Sequence, residues 1–183
     1  MTTPQHRASL FIDPVDDPRA GGPSLGGERA TLTEFLRGQR LTLELKCEGL
    51  DAEQMARRSV YPSTMSLLGL VRHLTEVERT WFRVRFGHQD VPKRYQTPED
   101  PDGDFNGAVP DPAVVEAAWA AWRDELAFAD AIIAETDFDQ VATDSAGEPV
   151  SLREVMVHLI EEYARHNGHA DLLRERIDGR IGE

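Results

Sequence analysis

Four long stretches of this chain repeat their apolar residues every three or four positions, and no stretch sustains the every-second-residue alternation of a half-buried strand. That spacing gives each stretch one apolar face as a helix, and helices of this length can hide such faces only against one another. The fold expected from the residues is therefore all-α, a four-helix bundle.

The first stretch runs from about Glu28 to Glu48, with Leu32, Phe35, Leu36, Leu43 and Leu45 as core candidates and Gly49 placed to end it. Asp51 to Arg57 adds a short helix. The second starts at Ser63 or Ser66, both good capping residues, buries Leu67, Leu70, Val71, Leu74, Val77 and Trp81, and stops at Gly87. The third takes Asp111 as N-cap and Pro112 as first helical residue, with Val115, Ala118, Trp119, Trp122, Leu126, Ala129 and Ile133 on one face. The fourth opens on the capping box Ser151 and Glu154 and continues to Asp178, with Gly179 as its stop.

Two segments fall outside this pattern. Residues 1–27 carry Pro4, Pro14, Pro18 and Pro23 among four glycines, a density that forbids a regular helix. They read as an extended arm before a helical domain at 28–183. Between the second and third helices lies Gly87 to Pro110, about two dozen residues where a bundle needs about 2 to 8. It holds Tyr95 and Phe105, apolar material with which it can fold back as a lid or crossover, or else it is a plain linker.

At 183 residues the chain matches one domain with a core large enough to need no disulfide. Thirty-three acidic against twenty basic side chains leave a formal charge of −13, which repels phosphate backbones and anionic lipid. Nucleic-acid and membrane partners are not expected. Cys47 is the lone cysteine, Met1 to Ile12 shows no long apolar run, and no segment approaches the roughly 20 apolar residues of a membrane span. A cytoplasmic location is the expectation. Phosphate loops, dinucleotide fingerprints, G-x-S-x-G, H-E-x-x-H and paired C-x-x-C motifs are all missing, and Cys47 has no histidine near it in sequence to activate it.

The chemistry concentrates in His158-Leu-Ile-Glu-Glu-Tyr-Ala-Arg-His-Asn-Gly-His169 of the fourth helix. Steps of three from Leu159 and Tyr163 on its apolar stripe fall on Glu162 and His166. Residues four apart differ by only about 40° around a helix, so these two project side by side within reach of one ion. A third ligand must come from a facing helix, and His73 stands at the margin of the second helix's buried stripe. Two imidazoles and one carboxylate suit Zn²⁺, and also Ni²⁺, Fe²⁺ or Mn²⁺, with a position left open for water or substrate. Glu76, Glu78, Glu161, His169 or Asp171 would orient the ligating rings. The alternative is hydrogen-bonded histidines at the edge of a core, with no ion.

The stretches Leu67-Leu-Gly-Leu-Val-Arg-His-Leu-Thr-Glu-Val-Glu-Arg-Thr-Trp-Phe82 and Glu161-Glu-Tyr-Ala-Arg-His-Asn-Gly-His-Ala-Asp-Leu-Leu-Arg-Glu-Arg-Ile-Asp-Gly179 closely resemble the DinB/YfiT-like metalloenzyme superfamily. The nearest likeness is to its mostly actinobacterial branch of unknown function that includes a mini-circle protein. The likeness spans Glu28 to Gly182. It implies an up-down-down-up bundle, which accounts for a long crossover after the second helix, and a divalent metal, Zn or Ni first, on His73, Glu162 and His166. Many members have histidine where this chain has Glu162, while the mycothiol-dependent maleylpyruvate isomerase is similar in using glutamate. The resemblance also implies a thiol S-transferase that joins mycothiol or a related small thiol to small electrophiles, and it leaves room for a homodimer. The rival expectations are a non-catalytic metal-binding stress protein and a metal-free helical dimerisation module.

Overall fold

The computed structural model describes residues 11–23 and 25–182. Of the arm expected at 1–27, residues 1–10 and 24 lie outside the described residues. The rest of it forms turns that pack on the chain's own helices: the guanidinium of Arg37 donates to the carbonyls of Pro18 and Arg19, and the buried Phe11 ring lies among Lys46, Arg174 and Arg180.

Helix α1, Glu28–Cys47, buries Leu36, Leu43, Leu45 and Cys47. Phe35, expected in the core, is 61% exposed. The stripe that turns inward is Leu36, Arg40, Leu43 and Cys47, and Phe35 lies one residue, about 100°, off it. Helix α2, Ala52–Ala56, is fastened by a capping box between Asp51 and Gln54 and buries Met55.

Helix α3, Leu67–Glu78, starts where the Ser66 hydroxyl accepts from the Gly69 N–H at 3.1 Å. The sequence predicts one helix to Gly87, but from Arg79 to Phe86 the coil widens into a π-helical segment that closes with Gly87 N–H on the Phe82 carbonyl. Its side chains show why the wider turn is held. Arg79 and Arg83, four apart, both reach the buried carboxylate of Glu125 on the facing helix.

Helix α4, Gly103–Asn106, is a single turn inside the long connection. Helix α5, Pro112–Glu135, begins at the expected N-cap, Asp111, and buries Ala118, Trp122, Ala129 and Ile133. Trp81 and Trp119 are only partly buried against the core, as are Val77, Val115 and Leu126.

An antiparallel hairpin, unforeseen in the sequence, precedes the last helix: β1, Val141–Thr143, pairs with β2, Pro149–Ser151, in the register Ala142 opposite Val150. Three residues per strand are too few to display a period, although Ala142 and Val150 turn inward together. Helix α6, Leu152–Asp178, follows directly, with the Ser151 hydroxyl accepting from the Glu154 N–H and Gly179 ending it at φ 80°.

Contacts fix the relative directions of the long helices. Arg153 at the start of α6 pairs with Glu28 at the start of α1, and Arg174 near its end donates to the Lys46 carbonyl, so α1 and α6 run the same way. Helix α3 opposes α6, with His73 beside Glu162 and Trp81 beside His158. Helix α5 opposes α1, since Arg29 donates to the carbonyls of Ile133 and Thr136.

One hydrophobic core draws on all four, and a buried polar chain crosses it. Arg40 of α1 makes a two-pronged pair with Glu78 of α3 at 2.8 Å on each prong. Tyr163 of α6 donates its hydroxyl to Glu78, and Trp122 of α5 donates its indole N–H to Tyr163, each at 2.9 Å. Every polar side-chain atom of these four residues has a partner, the condition under which buried polar groups are tolerated. Among the described residues no helix is long and apolar enough to cross a membrane.

Candidate metal centre

The helical rise places Glu162 and His166 one turn apart on α6, on the side that faces α3. There the His73 ring meets them. Nε2 of His73 lies 3.3 Å and Nε2 of His166 lies 3.2 Å from the same oxygen, Oε1 of Glu162, and the two rings sit 4.8 Å apart. All three donor atoms fall within 4.8 Å of one another, with the side chains 22%, 17% and 11% exposed in the order His73, Glu162, His166. The three residues expected from the sequence are thus brought together at the edge of the core, open to solvent on one side.

The charges are strongly coupled. Burial pulls the His73 imidazole toward its neutral form, but hydrogen bonds to Asp104 and Glu162 outweigh it and raise its pKa to about 9. The His166 and His73 hydrogen bonds hold the Glu162 carboxyl well below the ordinary carboxylate range, against the opposing effect of burial.

The donor set fits a divalent ion. Glu162 Oε1 lies 3.3 and 3.2 Å from the two imidazole nitrogens, close to the roughly 3.3 Å that separates neighbouring ligand atoms on an ion bound at about 2.0–2.1 Å, while the donor set as a whole spans up to 4.8 Å. An ion would take the place of the proton that His73 carries between two carboxylates.

What the sequence did not reveal is the group that aims His73. Nδ1 of His73 donates to Oδ2 of Asp104 at 2.8 Å, leaving Nε2 for Glu162 and His166. Asp104 belongs to α4, is 1% exposed, and is itself held by Gln96 Nε2 at 3.0 Å and by the Phe105 N–H. Burial pushes its pKa up, but the His73 and Gln96 hydrogen bonds bring it below the usual value.

The connection at 87–110 therefore folds back onto α3 as part of the site. Arg72 donates to the carbonyls of Asp104 and Gly103, and the Phe105 ring stacks on His73 with centroids 5.4 Å apart. Two glycines permit the approach. A Cβ at Gly69 would stand 2.6 Å from the Phe105 ring, and one at Gly103 would stand 2.2 Å from the Tyr95 carbonyl oxygen. No local signal marks Asp104, because its role depends on a loop closing over 31 residues.

Of the groups expected to orient the histidines, His169 alone reaches one, with its Nδ1 3.3 Å from that of His166. Glu78 is committed to Arg40 and Tyr163, Asp171 pairs with Lys46, and Glu76 accepts from the Tyr95 N–H. Glu161 makes no contact with either ring among those described. His158 stands apart, edge-on to Trp81 at 5.5 Å. Cys47 lies buried at the end of α1, where desolvation pushes its thiol up to about 12, so it is no nucleophile at neutral pH.

A cleft of about 210 Å³ opens beside His73, its lining including Glu76, Trp81, Arg85, Lys93, Gln96 and His158. A larger groove of about 980 Å³, between α1 and α5 and floored by Leu36, Arg40 and Trp122, touches none of the three donors. The centre and its cleft thus belong to α3, the crossover and α6.

No curated protein matches the chain. Its residues 31–179, from the first turn of α1 to just past the end of α6 and with all three donors and Asp104, match the family model described as mycothiol S-transferase, a DinB/YfiT-like family. The chain belongs to the mycothiol S-transferase family.

Proposed function

We propose that the protein is a divalent-metal-dependent S-transferase that joins mycothiol, or a thiol of that type, to small electrophiles, with His73, Glu162 and His166 as the metal ligands. The observation that carries this reading is the convergence of three donor atoms from α3 and α6, in a chain whose family is that of mycothiol S-transferases. The directions of the helices support an up-down-down-up four-helix bundle beneath the site.

A bound divalent ion supplies Lewis acidity that lowers the pKa of a coordinated thiol, as it does that of water. The protein's own residues do the rest. Asp104 holds the Nδ1 proton of His73 so that Nε2 is the ligating atom, and Glu162 brings negative charge that helps to retain the ion. The core below excludes water from one side, while the cleft beside His73 admits substrate from the other. In the transfer itself the thiol gives up its proton, its sulfur forms a bond to the electrophilic carbon, and the leaving group departs with the bonding electrons.

The test is metal content by mass spectrometry on untagged protein, with wild type beside His73→Ala and Glu162→Ala, followed by turnover of a halide-bearing bimane with mycothiol. About one ion per chain and turnover in wild type, both lost in the variants, is the expected result. Bound metal with no thiol turnover would replace this reading with that of an ion that only ties α3 to α6.

A further inference from the structure

Glu76 projects from α3 one turn after His73, is 4% exposed, and walls the cleft that opens beside it. One of its carboxylate oxygens accepts from the Tyr95 N–H. The other, Oε2, is buried and has no hydrogen-bond donor within reach among the described residues. A buried carboxylate oxygen left without a donor is unfavourable, so such an atom in a site wall calls for a donor from outside the chain.

The remaining lining narrows the donor's kind. Beyond Glu76 and His73 the cleft presents the ammonium of Lys93, the amide of Gln96, the imidazole of His158 and the partly buried ring of Trp81. By area that wall is mainly apolar, with these few polar groups set into it, a lining that takes a compact ligand and fixes its orientation through hydrogen bonds. Glu76 is the one carboxylate in it, and a carboxylate only accepts.

We propose that the free oxygen of Glu76 accepts a hydrogen bond from a hydroxyl or amide N–H of the thiol substrate, so that the cleft beside His73 seats that thiol's polar body and selects it over bare alkyl thiols. This rests on the transferase reading above and assigns a specificity-determining residue to it. A site built to hydrogen-bond a substrate group discriminates against analogues that lack it, because the buried partner is then left unpaired.

Glu76→Gln tests the assignment, because it keeps an acceptor for the Tyr95 N–H and presents an NH₂ group where the free oxygen stands. Glu76→Asp, which withdraws the oxygen while keeping its charge, is the second variant. Metal-loaded wild type and both variants are titrated calorimetrically with mycothiol, a glycosidic thiol rich in hydroxyls, and with ethanethiol. The ratio of the mycothiol Kd to the ethanethiol Kd should rise about tenfold in each variant, with melting temperature and metal content held, as expected for one hydrogen bond to a charged acceptor. An unchanged ratio overturns the inference and leaves the transferase reading standing. Metal-loaded wild type that binds no mycothiol overturns both.

Discussion

Asp104 and His73 are 31 residues apart in the chain and joined by a 2.8 Å hydrogen bond, from the Nδ1 of a ring whose other nitrogen faces Glu162. The carboxylate comes from the crossover and the imidazole from α3, so the long connection between the second and third long helices is itself a supporting wall of the site. Groups that orient a ligating histidine matter nearly as much as the ligand, and their loss typically costs about 10–100-fold in metal affinity.

Asp104→Asn is therefore expected to weaken Zn²⁺ binding by about 10–100-fold while the protein stays folded. Competition against a chromophoric chelator measures the constant, and circular dichroism checks the fold. Equal affinities for variant and wild type would show that Asp104 does not hold the ring.

His166→Ala removes a donor that approaches Glu162 Oε1 at 3.2 Å, and the variant should retain no stoichiometric ion. Because an ion that binds only the folded state raises its stability in proportion to the logarithm of its concentration over Kd, wild type should melt higher with added Zn²⁺ and His166→Ala should not. A melting temperature equally raised in both would place the ion elsewhere.

The Arg40–Glu78 pair lies in the core, with the two side chains 8% and 0% exposed. Arg40→Met leaves the Glu78 carboxylate without its two strongest donors, and breaking a buried pair in this way costs about 3–5 kcal/mol. Urea unfolding should show that loss. A change below about 1 kcal/mol would mean that Tyr163 alone satisfies Glu78.

Cys47 should be silent. With its thiol pushed up to about 12 by burial, almost none is thiolate at pH 8, so an aromatic disulfide reagent should label it only as the protein unfolds. Cys47→Ala should keep full transferase turnover. Rapid labelling of native protein, or loss of turnover in this variant, would return the cysteine to consideration as a reactive group.

Much of this molecule was legible in its residues, for a local reason. A helix repeats every 3.6 residues, so apolar spacing, the caps Ser66, Asp111 and Ser151 and the stop at Gly179 mark the long helices without reference to anything distant. The same period sets Glu162 beside His166, and the stripe of α3 made His73 the natural third member. Where the reading failed, the deciding partner was remote. Phe35 faces solvent because Arg40 takes the inward line of α1, which Glu78 and Asp130 on other helices make tolerable. The π-helical turn after Glu78 is held by Glu125 across the core, and the hairpin at 141–151 is too short to carry a period of its own. Asp104 and the free oxygen of Glu76 acquire their meaning only where the crossover closes on α3. The helices and the spacing of the two donors on α6 follow from local sequence alone, because both repeat within one or two turns. Which charges are paired and which ring is aimed came only with the packed fold, because each depends on side chains brought together from distant parts of the chain.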